Sequence, residues 1–350
     1  MLKKTEKQGG SEYIPAYDAA RLIAVLAVIW IHAAINVNSS LSDDPSFLGR
    51  FGLAFFIIGS VYFTTVGIIE NPRLSFFYYI FKRFRRLYLL FFVWSGVYLI
   101  LKDIEGAILG GDTTLKISPI EFLFEGGAYH LWFLPFIFCA NVITFLIIKG
   151  VLRISYNVNF VCILFLLFGL LITQAPTFIP TSFFDQPTVF NWWFSLPSVF
   201  WAMAYALRSA SSLVHQRTDL NMPLITDRRD TVKIVVISGL LLCVLLTVVG
   251  FFNGPRSLLA NLAGFCFALV TMSGVKNPSI EQIAVFGKLS YGIFLAHLIF
   301  IGFARVTAYK LGGNDTTWTF AILSTGISFV ASITLAFLLT KWRYTAWLVK

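Results

Sequence analysis

The sequence predicts an all-α membrane protein with about ten transmembrane helices and with both termini on the cytoplasmic side. Of its 350 residues, 57% are hydrophobic and only 13% are charged, whereas a soluble protein carries about 25% charged residues. The apolar runs are continuous over roughly 20 residues, the length that a helix needs to cross the hydrocarbon core. Because these runs do not alternate between polar and apolar residues, they argue against a transmembrane barrel.

Ten hydrophobic segments follow one another along the chain, and together they predict a single membrane domain over residues 17–340. The polar N-terminal residues 1–16 and the basic C-terminal residues 341–350 are expected to be short cytoplasmic tails. The ten segments cover residues 17–37, 48–69, 84–101, 130–149, 157–175, 191–207, 232–251, 257–273, 288–308 and 318–340.

The net charge of +10 invites a nucleic-acid partner, but its distribution argues against one. With the N-terminus in the cytoplasm, most lysines and arginines fall in cytoplasmic segments, as the positive-inside rule requires. The longest inner loop, about 208–231, is basic, and the longest outer loop, about 103–129, is acidic. The charge therefore sets the orientation in the membrane, and we expect lipid but no nucleic acid as a partner.

The cysteines and the first segment each have a simple interpretation. No two cysteines form a CxxC pair and all lie in hydrophobic segments, which predicts neither a disulfide framework nor a metal site. The run 22–31 also resembles the apolar part of a cleaved signal peptide, but Asp18 and Arg21 fit a retained helix better. The cysteines are Cys139, Cys162, Cys243 and Cys266.

Two ionisable residues lie inside the first hydrophobic segment, Arg21 near its inner end and His32 in its outer half. Eleven residues are almost three helical turns, so both side chains share one face, roughly 16 Å apart along the axis. Ionisable groups inside a membrane helix are costly and indicate function. Asp18 lies three residues before Arg21 and can pair with it. The alternatives are an arginine that reaches the interface and a histidine bonded to a neighbouring helix.

Three further groups are candidates for a site. Lys82, Arg83 and Arg86 lie at the predicted start of the third helix, with spacings that let them converge on phosphate groups, although membrane orientation alone also explains them. His130 begins a His-Leu-Trp-Phe run, which an aromatic belt at the membrane surface would also produce. His297 lies in the middle of a helix that has Ser and Gly residues suited to helix packing.

In this order, the segments resemble the membrane-bound acyltransferase 3 family. That family has Arg or Lys, ten residues and then His in its first helix, which Arg21 and His32 match. It also has Arg-x-x-Arg at a cytoplasmic helix start, which Arg83 and Arg86 match, although Leu87 stands where proline is frequent.

Three other segments carry the resemblance along the rest of the chain. Residues 55–60 keep the Phe-Phe run of the family's second helix but reverse the Ser-Gly pair that follows it. Residues 130–134 are similar to its His-Leu-Trp-Phe segment. Residues 290–297 are similar to its late Ser-Tyr-Gly…His helix, with Phe294 where tyrosine is common.

The resemblance implies an O-acyltransferase of the type that O-acetylates polysaccharides during exopolysaccharide biosynthesis, in the bacterial inner membrane. The donor would be a cytoplasmic acyl-coenzyme A, most often acetyl-CoA, and the acceptor a hydroxyl of a cell-surface or lipid-linked glycan, without a metal. The implied roles are base or acyl carrier for His32, donor route for Arg21, coenzyme binding for Lys82, Arg83 and Arg86, and acceptor binding for His130, Trp132 and His297.

Two other functions remain open at this point. A transporter of a glycan, lipid or small acid would use the same buried His and Arg residues as a proton or substrate relay. A scaffold in a polysaccharide machine would leave those residues without a purpose. Small residues spaced four apart are common in every helix bundle, so the sequence is compatible with both a monomer and a homo-oligomer.

Overall fold

The computed structural model describes residues 14–37, 45–109, 118–154, 157–179, 181–184, 186–218, 255–273 and 278–349. Over these residues, the regular structure consists of α-helices and short 3-10 turns, and it contains no strand. The all-α prediction is confirmed for this part of the chain. The helices are α1 Pro15–Ala34, α2 Phe51–Glu70, α3 Phe76–Leu109, α4 Pro119–Glu125, α5 Phe133–Val151, α6 Val158–Gln174, α7 Pro187–Thr218, α8 Pro255–Met272, α9 Pro278–Gly287, α10 Ser290–Lys310 and α11 Trp318–Lys341.

Among the described helices, six are long and apolar enough to cross a membrane: α1, α2, α3, α5 with the turn before it, α10 and α11. This confirms a multi-pass membrane protein. Nine of the ten predicted segments coincide with helices, and the seventh, 232–251, lies outside the described residues. The total of ten and the cytoplasmic position of both termini stay predictions.

The structure differs from the prediction at the start of α3 and in two short helices. Helix α3 begins at Phe76, so the basic run of residues 82–86 lies inside the helix and not in front of its first turn. Lys and Arg are good helix formers, and their long side chains carry the charge away from the apolar helix body. The two short helices that the hydrophobic segments did not predict are α4 and α9. Helix α4 begins with a capping box between Ser118 and Glu121, and α9 lies directly before α10.

Helix α1, which carries Arg21 and His32, lies at the centre of the described bundle. It packs against α2, α9, α10 and α11. Helix α2 in turn packs against α5, α7 and α8, and α3 packs against α5 and α10. The two residues singled out first by the sequence therefore lie on a helix with several neighbours, although α2 and α5 are more deeply buried than α1.

The order of the Gly59-Ser60 pair in α2 is explained by the helix that each residue contacts. A Cβ atom on Gly59 would come within 1.5 Å of the Tyr17 hydroxyl, and the Tyr17 ring stacks on Phe55 with centroids 4.8 Å apart. The next residue, Ser60, faces α5 and accepts a hydrogen bond from Asn141 at 2.9 Å. Glycine is required on the α1 side, and a hydroxyl is used on the α5 side.

Gly52→Ala is expected to destabilise the protein by about 1–3 kcal/mol, the range for overpacking a close contact. The added Cβ would lie 2.4 Å from the Ala24 carbonyl oxygen of α1, which is backbone and cannot rotate away. Gly67→Ala is the matched control, because it lies on the same helix and no atom of another described helix comes within 4 Å of its Cβ position. Thermal unfolding in detergent should show a lower midpoint for Gly52→Ala only; equal midpoints would contradict the close packing of α1 on α2.

Candidate active site

Three of the four histidines of the chain meet at one end of the bundle, which we call the His32 end. His32 lies near the end of α1, His130 in the 3-10 turn Tyr129–Trp132 before α5, and His297 in α10. Their ring centroids are 5.2 Å apart for His32 and His297, 5.0 Å for His130 and His297, and 6.1 Å for His32 and His130. The sequence predicted each of them separately, and the fold brings them together into a histidine cluster.

The tautomer of His297 follows from its hydrogen bond. Its Nδ1 lies 2.6 Å from the carbonyl oxygen of Phe294, and since a carbonyl only accepts, Nδ1 carries the hydrogen. A neutral His297 ring therefore presents the lone pair of Nε2. This atom is buried and has no hydrogen-bond partner among the described residues, so it is available to accept a proton or a hydroxyl hydrogen.

His130 is also buried, with 2% of its surface exposed. Its ring contacts Tyr98 edge-on at 5.0 Å, and the Tyr98 hydroxyl donates to the Leu295 carbonyl at 2.7 Å. Although that carbonyl lies near His130, neither ring nitrogen makes a well-formed hydrogen bond within the described part of the chain. Buried polar atoms are normally paired, so the nitrogens of His130 and His297 that lack a partner among the described residues are open to a hydrogen bond from a polar ligand.

Arg305 holds the end of α1 and thereby the backbone of His32. Its Nη2 donates to the His32 carbonyl oxygen at 3.0 Å, and its Nε lies 3.5 Å from Asp315 Oδ2. Asn36 donates to the same Asp315 oxygen at 2.8 Å. A cation at the C-terminus of a helix is favourable. This arrangement was not predicted from the sequence, because Arg305 is 273 residues from His32 and no local pattern joins them.

At the opposite end of α1, which we call the Arg21 end, three arginines come together. Arg21 forms the predicted ion pair with Asp18 at 3.1 Å. Arg86 lies within electrostatic range of Arg21 and Arg83, and the Tyr291 hydroxyl of α10 donates to the Arg86 carbonyl at 3.4 Å. The arginine cluster is therefore made of residues from α1 and α3.

The side chain of Arg83, in α3, is held by two hydroxyl groups. Arg83 donates from Nη2 to the Thr64 hydroxyl at 3.0 Å and from Nε to the Tyr79 hydroxyl at 3.2 Å. Within the described ranges, no carboxylate pairs with Arg83 or Arg86, and Lys82 is exposed on the same stretch of helix. Guanidinium groups held by neutral partners are suited to binding an anion.

Trp132, which the sequence placed in acceptor binding, is 4% exposed. Its ring packs edge-on against Phe133 at 5.8 Å and Phe136 at 6.0 Å. Its part in acceptor binding stays a prediction, as do the roles assigned to the other site residues.

A cavity of about 390 Å³ opens at the His32 end, between α4 and the start of α7. Asn191 of α7 donates to the Tyr129 hydroxyl at 2.7 Å, which joins the cavity wall to the turn that carries His130. The Ser118 backbone amide and hydroxyl hold the pKa of Glu121 below its usual value, so this carboxylate stays ionised at the cavity rim. Other lining residues are Phe124, Glu125, Phe183, Trp192 and Trp193.

The comparison with protein families identifies the chain. The family model described as an acyltransferase domain matches residues 14–341. The chain belongs to the acyltransferase 3 family. No curated protein and no solved structure matches it.

Membership of the acyltransferase 3 family confirms the resemblance read from the sequence, and it shows that the chain is a multi-pass membrane acyltransferase. The matched range covers both ends of α1, so the histidine cluster and the arginine cluster both lie within the family domain. Over the described residues, no group of three or more His, Cys, Asp or Glu side chains is arranged to hold a metal ion.

Proposed function

We propose that this acyltransferase 3 protein moves an acyl group, in the first instance acetyl, from cytoplasmic acyl-coenzyme A to a hydroxyl of a cell-surface or lipid-linked glycan in the bacterial inner membrane. One observation carries the proposal. A single central helix bears the histidine cluster at one end and contributes Arg21 to the arginine cluster at the other. The histidine cluster can accept and donate a proton, and the arginine cluster can bind the phosphate groups of the acyl donor.

In this proposal His32 is the general base. As the acceptor oxygen attacks the thioester carbonyl, His32 takes the hydroxyl proton; the carbon–sulfur bond breaks, and the coenzyme sulfur leaves and receives that proton. In the alternative route, His32 first carries the acyl group on a ring nitrogen and passes it to the hydroxyl in a second step. In this proposal the Nε2 lone pair of His297 relays the proton, which the ring-centroid distance of 5.2 Å between His297 and His32 supports.

The distance between the two clusters suits a donor that is bound at one end and reacts at the other. Arg21 and His32 share one face of α1 and are roughly 16 Å apart along its axis. Coenzyme A has its phosphates at one end and its sulfur at the end of a long, thin pantetheine arm. Phosphates held by the arginine cluster would let that arm follow α1 toward the histidines.

The cavity at the His32 end supports a neutral sugar as acceptor. Its aromatic side chains offer flat apolar surfaces to the C–H faces of a sugar. Its charged lining groups are the carboxylates of Glu121 and Glu125, which accept hydrogen bonds from hydroxyls and repel phosphate. Glu125 already accepts a hydrogen bond from the Thr188 hydroxyl.

The direct test is to incubate membranes containing the protein with labelled acetyl-coenzyme A and to analyse the surface glycan. We expect label on glycan hydroxyls, and none in membranes from a deletion strain. Movement of a glycan, lipid or small acid without any acylation would contradict the proposal and favour the transporter.

Phe124→Ala and Phe183→Ala are expected to lower transfer to glycan about three- to tenfold each, in line with about 0.5–1.5 kcal/mol for an aromatic contact. Binding of coenzyme A should not change, because both residues line the cavity at the other end of α1. Phe178→Ala is the matched control, since Phe178 lies in the same segment, is 86% exposed and is not part of the lining. If all three variants had equal activity, the result would show that the acceptor does not bind in this cavity.

A further inference from the structure

We propose that Thr64, Tyr79 and Asn141 are positioning residues that hold Arg83 in place for the phosphate groups of the acyl donor. This inference rests on the proposed function, because the anion that Arg83 binds is taken to be that donor. The three side chains come from α2, α3 and α5, and they form one connected hydrogen-bond network behind the guanidinium group.

The network contains a continuous series of contacts. Arg83 donates to the hydroxyls of Thr64 and Tyr79, which lie 3.0 Å from each other. Thr64 donates to the Asn141 side-chain oxygen at 2.5 Å. The Asn141 amide nitrogen then donates to Ser60 at 2.9 Å and to the Ile137 carbonyl at 2.6 Å.

The hydrogens in this network have one consistent arrangement. An arginine side chain only donates, so both hydroxyls accept from Arg83. The hydrogen of Tyr79 then goes to the Thr64 oxygen, and the hydrogen of Thr64 goes to the oxygen of Asn141. This fixes the orientation of the Asn141 amide, whose nitrogen faces Ser60 and Ile137. The position of the guanidinium is thereby fixed relative to α2 and α5.

The burial and charge of these groups indicate what the network is for. Thr64 and Asn141 are 2% and 0% exposed. Polar groups buried in a membrane bundle are costly, and they commonly mark a functional site. The guanidinium of Arg83 is half-buried. Its neutral partners occupy two of its five N–H donors and leave its charge uncompensated, whereas a carboxylate partner would compete with an anionic ligand.

Thr64→Val tests the inference, because it removes the hydroxyl and keeps the shape of the side chain. We expect the dissociation constant for coenzyme A, measured by titration of the detergent-purified full chain, to rise about five- to tenfold, in line with about 1 kcal/mol for one net hydrogen bond. The direct loss of a bond between Arg83 and the ligand would cost more, because here Arg83 keeps its second partner, Tyr79. Thr65→Val is the matched control: Thr65 is the next residue, is fully buried, and its hydroxyl has no partner among the described residues.

A double-mutant cycle separates positioning from a general structural effect. If Thr64 acts through Arg83, then Thr64→Val should have no further effect on coenzyme A binding in an Arg83→Ala background. An equal loss in both backgrounds, or a loss no larger than that of Thr65→Val, would overturn the inference. Tyr79→Phe, which removes the other acceptor of Arg83, provides a second variant with the same expectation should Thr64→Val not fold.

Failure of the proposed function would look different. If Arg83→Ala binds coenzyme A as tightly as the wild type, Arg83 is not part of the donor site, whatever the result for Thr64→Val. If Arg83→Ala weakens binding and Thr64→Val does not, only the positioning role is overturned and the donor site stands.

Discussion

Replacing His32 by alanine is expected to lower acyl transfer about 10²–10⁴-fold, the usual contribution of a general base. His32 is half-buried, whereas His130 and His297 are buried, so the His32 side chain is the most accessible of the three. The experiment compares transfer of label from acetyl-coenzyme A to glycan in membranes that contain equal amounts of wild type and variant.

His215→Ala provides the matched control for this experiment. It makes the same substitution near the C-terminal end of α7, at a histidine to which no role is assigned, and it should keep wild-type activity. Undiminished transfer by His32→Ala would exclude both the base and the acyl-carrier roles of His32. Loss of activity in both variants would point to a shared effect on folding or insertion, which the protein level in the membrane would show.

The double variant Arg83→Ala/Arg86→Ala is expected to bind coenzyme A about 10²-fold more weakly, or worse. Each lost hydrogen bond to a charged group costs about 1.5–3 kcal/mol, and 1.4 kcal/mol corresponds to about tenfold in affinity. The loss should shrink at high salt, because salt screens the attraction of partly exposed charges for phosphate. Titration at two salt concentrations measures both effects.

Arg85→Ala is the control for the arginine pair. Arg85 lies between the two on the same helix, is exposed, and its guanidinium lies over the Phe81 ring at 5.9 Å. It should bind coenzyme A normally. An unchanged affinity in the double variant would mean that Arg83 and Arg86 serve only to orient the chain in the membrane.

Most of the helices could be predicted from the sequence, because a run of apolar residues long enough to cross the membrane is a property of each segment alone. The predicted start of α3 was wrong because the same criterion, a continuous apolar run, was used to place it. Hydropathy treats the basic residues 82–86 as an interruption, whereas the helix continues through them from Phe76. The capping box of α4, between Ser118 and Glu121, is a local Ser-x-x-Glu pattern and could have been predicted from the sequence.

The partners inside the site could not be predicted in this way. Helical periodicity gives the face on which His32 and Arg21 lie, but it does not give the helix that this face meets. The contact of His32 with His297 depends on how α1 and α10 pack, and so does the hold of Arg305 on the end of α1. The network behind Arg83 likewise depends on a close approach of α2, α3 and α5.

The central position of α1 makes the site sensitive to changes in the length of this helix. One residue inserted between Arg21 and His32 would rotate everything after it by about 100° and advance it by about 1.5 Å, which would carry the imidazole off the face that meets His297. Four inserted residues would nearly restore the face but would lengthen the path by about 6 Å. The length of helix α1 therefore sets the separation of the two clusters, and an insertion or deletion between Arg21 and His32 would change that separation whichever residue is added or removed.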